Sequence, residues 1–162
     1  MPVSVGTNNY PTKEEILASP SSIGVGDDDE YAHIYLAEML RDWRVWEWKR
    51  ADNTLAKFTA LQHLIDKIAI ELGEIEPHET IPLLVGPDLV DRVVAREDGT
   101  QYIELNMNKL SIITTLHELY HYLYGGSELE ACRFSVWLFR EAFPKAYARL
   151  VWDGHMLVRP AT

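Results

Sequence analysis

A single cysteine stands in the 162 residues, so no intrachain disulfide can brace the chain and its fold does not depend on an oxidising compartment. No apolar run reaches the length of about 18 residues that a membrane-spanning helix requires. The start, Met1–Tyr10, has no basic stretch followed by an apolar core, so neither secretion by the usual signal nor membrane insertion is expected. The expected location is the cytoplasm. Basic residues are scarce: 15 Lys and Arg against 25 Asp and Glu, a net charge of −10. Such a field repels nucleic-acid backbones, and direct nucleic-acid binding is not expected. Internal repeats and low-complexity blocks are absent as well. What remains, 47% hydrophobic and 25% charged residues, reads as an ordinary soluble globule of one-domain length.

The most informative feature present is His117-Glu118-Leu119-Tyr120-His121. Four residues of α-helix rise about 6 Å and turn slightly more than once, so both imidazoles project from one face. Each can offer a ring nitrogen to one metal ion at the ~2.0–2.1 Å that zinc prefers. Glu118 sits about 100° around the helix, beside that ion rather than on it. A carboxylate there can take a proton from a water whose pKa zinc lowers towards ~7. Ile112, Leu116, Leu119 and Leu123 form an apolar stripe on the opposite face, so a helix over 109–124 can pack by its back and hold a metal in front. Gly125-Gly126 ends it, and Ser127 with Glu130 forms a capping box before the apolar run from Ala131 to Phe143.

A catalytic zinc site wants a third protein ligand and an open position. Glu128 and Glu130 are the carboxylates at hand. Glu130 has an ordinary task at the third position of the capping box, which favours Glu128, with Glu130 the alternative. Cys132, four residues after Glu128, shares its face; ligation or shielding of the metal is open to it, but the simpler expectation is a small buried hydrophobe.

The segment Tyr102-Ile103-Glu104-Leu105-Asn106, followed by Thr115-Leu116-His117-Glu118-Leu119 and His121, resembles the ImmA/IrrE-type zinc metallopeptidases. The later Glu128-Leu129-Glu130-Ala131-Cys132-Arg133-Phe134-Ser135 is similar to that family's E-x-E-A-N-x-F-A signature. The resemblance covers roughly residues 90–140. It implies that His117, His121 and Glu128 bind Zn2+ and that Glu118 is the general base. It further implies a gluzincin-like peptidase of bacteria or their mobile elements, whose relatives often cleave a helix-turn-helix repressor. The chain departs from the pattern at Tyr120, Cys132 and Ser135, where the family usually has Gly, Asn and Ala.

The expected fold is α+β: a minimal zincin-like metallopeptidase domain, mostly helical, with a small antiparallel sheet next to the active helix. Residues 1–26, polar and rich in Pro and Gly, are expected to form a partly flexible N-terminal arm, with a short helix after Thr12, whose partner in a capping box is Glu15. Residues 27–162 form the domain. Asp27-Asp28-Asp29-Glu30 opens a helix of about twenty residues, acidic at its start as the helix dipole prefers. A second runs from about Leu55 to Leu72, with Leu55, Phe58, Leu61, Ile65, Ile68 and Leu72 facing the core and Gly73 as its cap. Strands follow at 81–85, 89–96 and 101–105, the last two joined by a turn at Asp98-Gly99. The strand over 101–105 is expected to rim the cleft, where an extended peptide can pair with its edge.

The remaining candidates are weaker. Tyr124, on the ligand face of the active helix, is the candidate donor to the oxyanion of the scissile carbonyl; Arg133 and His155 are the alternatives. His33, His63, His78 and His155 are each expected to be structural or exposed rather than catalytic. Arg41, Arg44, Lys49 and Arg50 interleave with Trp43, Trp46 and Trp48; the ordinary expectation is that the rings pack and the cations flank them. The function expected is zinc-dependent hydrolysis of a peptide bond in an intracellular protein or peptide, such as a transcriptional repressor. The alternative is a zinc-containing module, for example a phage or plasmid factor, that binds a host protein without catalysis.

Overall fold

The structure, a computed structural model, describes residues 3–5, 10–23, 29–86 and 90–160. The chain opens with β1 (Val3–Val5), followed by α1 (Lys13–Ala18). Thr12 and Glu15 form the expected capping box: Thr12 Oγ1 accepts from the Glu15 amide at 3.2 Å, and the Glu15 carboxylate accepts from the Thr12 amide at 3.0 Å.

Two long helices come next. α2 (Asp29–Trp43) begins within the acidic run 27–30, Asp27 and Asp28 lying outside the described residues. It widens at its end into a π-helical turn over Arg44–Trp48. Trp43 is buried and donates its indole N–H to the Ala60 carbonyl at 2.8 Å. Cations flank the neighbouring rings as expected, Arg50 over Trp46 and Lys57 over Trp48. Asn53 caps α3 (Thr54–Glu71), accepting from the Ala56 amide at 2.8 Å. Leu61, Leu64, Ile65 and Ile68 of α3 are fully buried, but Leu55 is not part of the core: it is 69% exposed in the helix's first turn. Gly73, at φ +75°, follows the end of the helix.

Three strands, β2 (Leu83–Val85), β3 (Arg92–Ala95) and β4 (Gln101–Leu105), join β1 in one sheet of order β1-β3-β4-β2. The sheet is mixed rather than antiparallel. β3 and β4 form the expected hairpin, but β2 pairs with β4 in parallel, Leu83 facing Ile103 and Val85 facing Leu105. β2 and β3 flank β4 and run in opposite directions. A second correction follows: 101–105 is an interior strand, paired with β3 over 101–104 and with β2 over 103–105, and is not the free rim expected for a peptide.

The last part is helical, then extended. Ser111 caps α4 (Ile112–Tyr124), whose Leu116 and Leu119 are fully buried. Ser127 caps α5 (Glu128–Ala142), the helix most extensively packed on α4 and α2. The short α6 (Pro144–Ala148) starts on a proline, which suits a first helical turn. It leads to a hairpin of β5 (Val151–Asp153) and β6 (Met156–Val158), turned at Gly154, φ +64°. This hairpin was not among the expected elements, although Asp153-Gly154 is a turn signal.

The described part of the expected arm is built into this body. Ile16 of α1 is buried in a small cluster with Cys132 and Val136 of α5. Arg133 donates to the Glu15 carbonyl at 2.8 Å, and the Trp137 indole donates to the Ile16 carbonyl at 2.9 Å. Further on, Ser21 bonds His33 at 2.8 Å and the Tyr120 hydroxyl donates to the Ser22 carbonyl at 3.0 Å. Residues 1–2, 6–9 and 24–26 of that arm lie outside the described residues. Among the described residues, no helix is long and apolar enough to cross a membrane.

Candidate metal centre

α4 presents His117 and His121 on one face because they stand four residues apart, and its apolar back anchors that face against the core. Gly125 then turns the chain so that α5 begins beside them. At φ +98° it adopts a backbone shape that L side chains rarely take, and its carbonyl returns to accept from His121 Nδ1 at 2.7 Å. That bond places a proton on Nδ1 and turns Nε2 the other way, toward Glu128.

Three acceptor atoms meet at this point. His121 Nε2 lies 3.2 Å from His117 Nε2 and 2.7 Å from Glu128 Oε1, and His117 Nε2 lies 3.3 Å from the same oxygen. Ligands at ~2.0–2.1 Å from a tetrahedral ion stand about 3.3 Å apart, so two of these separations are the edges of such a polyhedron. The 2.7 Å edge is shorter, a hydrogen-bond length that suits a proton shared between His121 and Glu128. The donor set and its spacing fit a small divalent ion.

A second grouping overlaps the first. His117, Glu128 and Cys132 offer ligand atoms within 4.8 Å of one another, close enough to hold a metal ion. The thiol, however, faces the other nitrogen of the ring: Cys132 Sγ is 3.8 Å from His117 Nδ1. The tighter convergence is the one through Nε2.

The electrostatics follow from burial and these contacts. Burial would raise the Glu128 carboxyl, but hydrogen bonds and charge from His117 and His121 outweigh it and hold the group well below the usual carboxylate range. Burial opposes a charge on His121, yet the Glu128 carboxylate, the Gly125 carbonyl and Glu118 together raise its pKa. Glu118 is buried beside the cluster, its Oε2 4.0 Å from His117 Nε2. Burial pushes it up to about 8; His121 pulls it down, and the Asp91 and Glu128 carboxylates push it further up. Burial also drives the Cys132 thiol up to about 12, with Glu128 and Glu118 adding to the rise.

The structure brings His117, Glu118, His121 and Glu128 together and leaves other candidates out. Glu130 turns away: its carboxylate accepts from the Ser22 amide at 2.9 Å and pairs with Arg133 at 3.5 Å. Only the Ser127 half of the expected capping box forms, Ser127 Oγ accepting from the Glu130 amide at 3.2 Å. Arg133 is spent on Glu15 and Glu130. Tyr124 does not join the cluster. Its ring packs on Tyr120, and burial with the nearby Glu74 carboxylate raises its pKa.

Two further residues lie near the site: Asp91, which had no sequence signal, and His155, an alternative candidate for the oxyanion donor. Asp91 accepts from the Asn106 amide at 2.7 Å and from the Thr114 hydroxyl, tying the start of β3 to α4 near Glu118. Burial raises its pKa against those bonds. His155, at the tip of the last hairpin, stacks on Tyr10 with ring centroids 4.3 Å apart and feels the charges of Glu128 and His117. Burial lowers its pKa first. Away from this region, His63 pairs with Glu47 at 2.6 Å, and both border a shallow surface depression that shares no residue with the cluster.

The chain matches no family model, no curated protein and no solved structure.

Proposed function

We propose that the protein is a zinc-dependent peptidase of the ImmA/IrrE type that hydrolyses a peptide bond in a cytoplasmic protein. The observation that carries this reading is the meeting of His117 Nε2, His121 Nε2 and Glu128 Oε1 within 3.3 Å of one another. Beside it lies a carboxylate that is not part of the meeting, Glu118, at 4.0 Å from His117 Nε2. His117, His121 and Glu128 would hold the ion. Zinc supplies a Lewis acid that polarises the scissile carbonyl and lowers the pKa of water.

The chain's own residues do the rest. His121, held by the Gly125 carbonyl, keeps its Nε2 turned to the meeting point with His117 and Glu128, where it would ligate the ion. Glu118 takes the proton of the attacking water and delivers it to the leaving amine, the double role of a general base that becomes a general acid. Its buried setting suits that work, since a carboxyl displaced toward neutral pH both accepts and returns a proton readily.

The test has two parts. Purified protein should carry one equivalent of zinc, which His117→Ala and His121→Ala should each abolish. Glu118→Gln should keep the zinc but produce none of the new protein termini found in cells expressing the unaltered chain. Normal cleavage by Glu118→Gln would overturn the role given to Glu118. The other reading, a zinc-containing module that binds a host protein, draws on one observation: Trp46 and Val45 lie side by side, both more than half exposed. It would gain if zinc were bound and no new termini appeared with either form.

A further inference from the structure

The two histidines of the cluster are anchored differently. Histidines that bind metals donate their other ring N–H to an outer group, which sets the tautomer and aims the ligating nitrogen. His121 gives its Nδ1–H to a carbonyl at 2.7 Å, a short bond to a strong acceptor. At the corresponding nitrogen of His117 the polar atom is a sulfur, Cys132 Sγ, at 3.8 Å. That sulfur is held in place. Cys132 lies one helical turn after Glu128 on α5, packs with Ile16 and Val136, and its carbonyl accepts from Ser135 Oγ at 3.2 Å.

Resting on the zinc reading above, we propose that Cys132 is a positioning residue: its sulfur receives the Nδ1–H of His117 and so aims Nε2 at the ion. The geometry argues against direct ligation. The lone-pair directions of the two ring nitrogens diverge widely, so an ion held by Nε2 stands on the far side of the ring from Sγ. Two packing facts agree. Cys132 is buried in one apolar cluster with Ile16 and Val136, which disfavours a free thiolate, and its Sγ already stands on the Nδ1 side of His117. Sulfur is a weak acceptor, so His117 is the more loosely aimed of the two ligands.

The proposal separates two roles that a buried cysteine can fill. If Cys132 only fills space, Cys132→Val should bind metal as the unaltered chain does, while Cys132→Ser should be worse, because it buries a hydroxyl among apolar side chains. If it serves as acceptor, the order reverses. We expect Cys132→Val to weaken zinc binding about tenfold, the lower end for loss of an outer partner. Cys132→Ser, which restores an acceptor atom, should bind within about threefold of the unaltered chain.

The experiment is competition of Zn2+ against a chromophoric chelator for the full chain and both variants, with circular dichroism to confirm folding. Absorption spectra of the Co2+-loaded proteins complete it. The expected spectrum lacks the intense near-ultraviolet band of a thiolate bound to cobalt. Such a band, lost in Cys132→Val, would overturn the proposal by making Cys132 a ligand. Unchanged affinity in folded Cys132→Val would overturn it by making the residue packing alone. Both outcomes leave the peptidase reading standing; failure of the unaltered chain to bind zinc would instead remove that reading and this one together.

Discussion

His121 is asked to do two incompatible things with one ring, and pH decides between them. In the metal-free chain its Nε2 faces Glu128 at 2.7 Å, an arrangement that favours a proton on the imidazole. Its folded pKa is therefore raised above the value of about 6.5 it has in an unfolded chain. The stability from that shift is complete below pH of about 6.5 and disappears as pH rises through the folded pKa. Glu128 has the opposite sign: its contribution is present above pH of about 4.3 and is lost only as pH falls through its depressed folded value. A metal ion needs the His121 nitrogen free, so it must displace the proton. The rise in Tm on adding zinc is thus expected to be small at pH 6 and to grow towards pH 8, with protons released on binding. A thermal shift that is flat across that range would show that the pair does not compete with the ion.

At the scale of elements, the site depends on how one helix hands over to the next. The apolar stripe of α4 was readable because burial on one face leaves a period of 3.6 in the sequence. The carboxylate that joins the two histidines was harder, since Glu128 and Glu130 both open α5, two residues apart. Two residues of helix turn by about 200°, so one carboxylate meets the histidines and the other meets Ser22. Gly125 sets which. Its positive φ both ends α4 and returns a carbonyl to His121. Gly125→Ala is expected to cost about 1–2 kcal/mol from the strained backbone. It should also weaken zinc binding about tenfold by shifting that carbonyl. Chemical denaturation and chelator competition would check the two effects separately; loss of stability with unchanged affinity would mean that the carbonyl does not aim His121.

For the whole molecule, the N-terminal stretch matters more than its composition suggested. Pro, Gly and polar residues made it look like an arm, and no local pattern reveals that Glu15, Ile16 and Ser22 meet α4 and α5. These contacts span more than ninety positions of sequence, Tyr120 to Ser22 and Arg133 to Glu15 among them. Ile16 is completely buried against Cys132 and Val136. Ile16→Ala is expected to destabilise the protein by about 3 kcal/mol through lost burial and the cavity left behind, read as a lower denaturant midpoint. A change under about 0.5 kcal/mol would mean that α1 does not pack as described.

The sequence by itself determined the helix with its oily back and histidine-bearing front, the caps at Thr12 and Ser127, the hairpin at Asp98-Gly99, and His117, Glu118 and His121 as a unit. All of these are contacts within a few residues, where spacing along the chain dictates spacing in space. Tertiary structure alone decided the rest: the parallel pairing of β2, the interior place of β4, the separation of Glu128 from Glu130, and the arrival of Asp91 and His155 beside the cluster. Those depend on which surfaces meet after the chain has folded back on itself, and burial across long separations leaves no periodic trace to read.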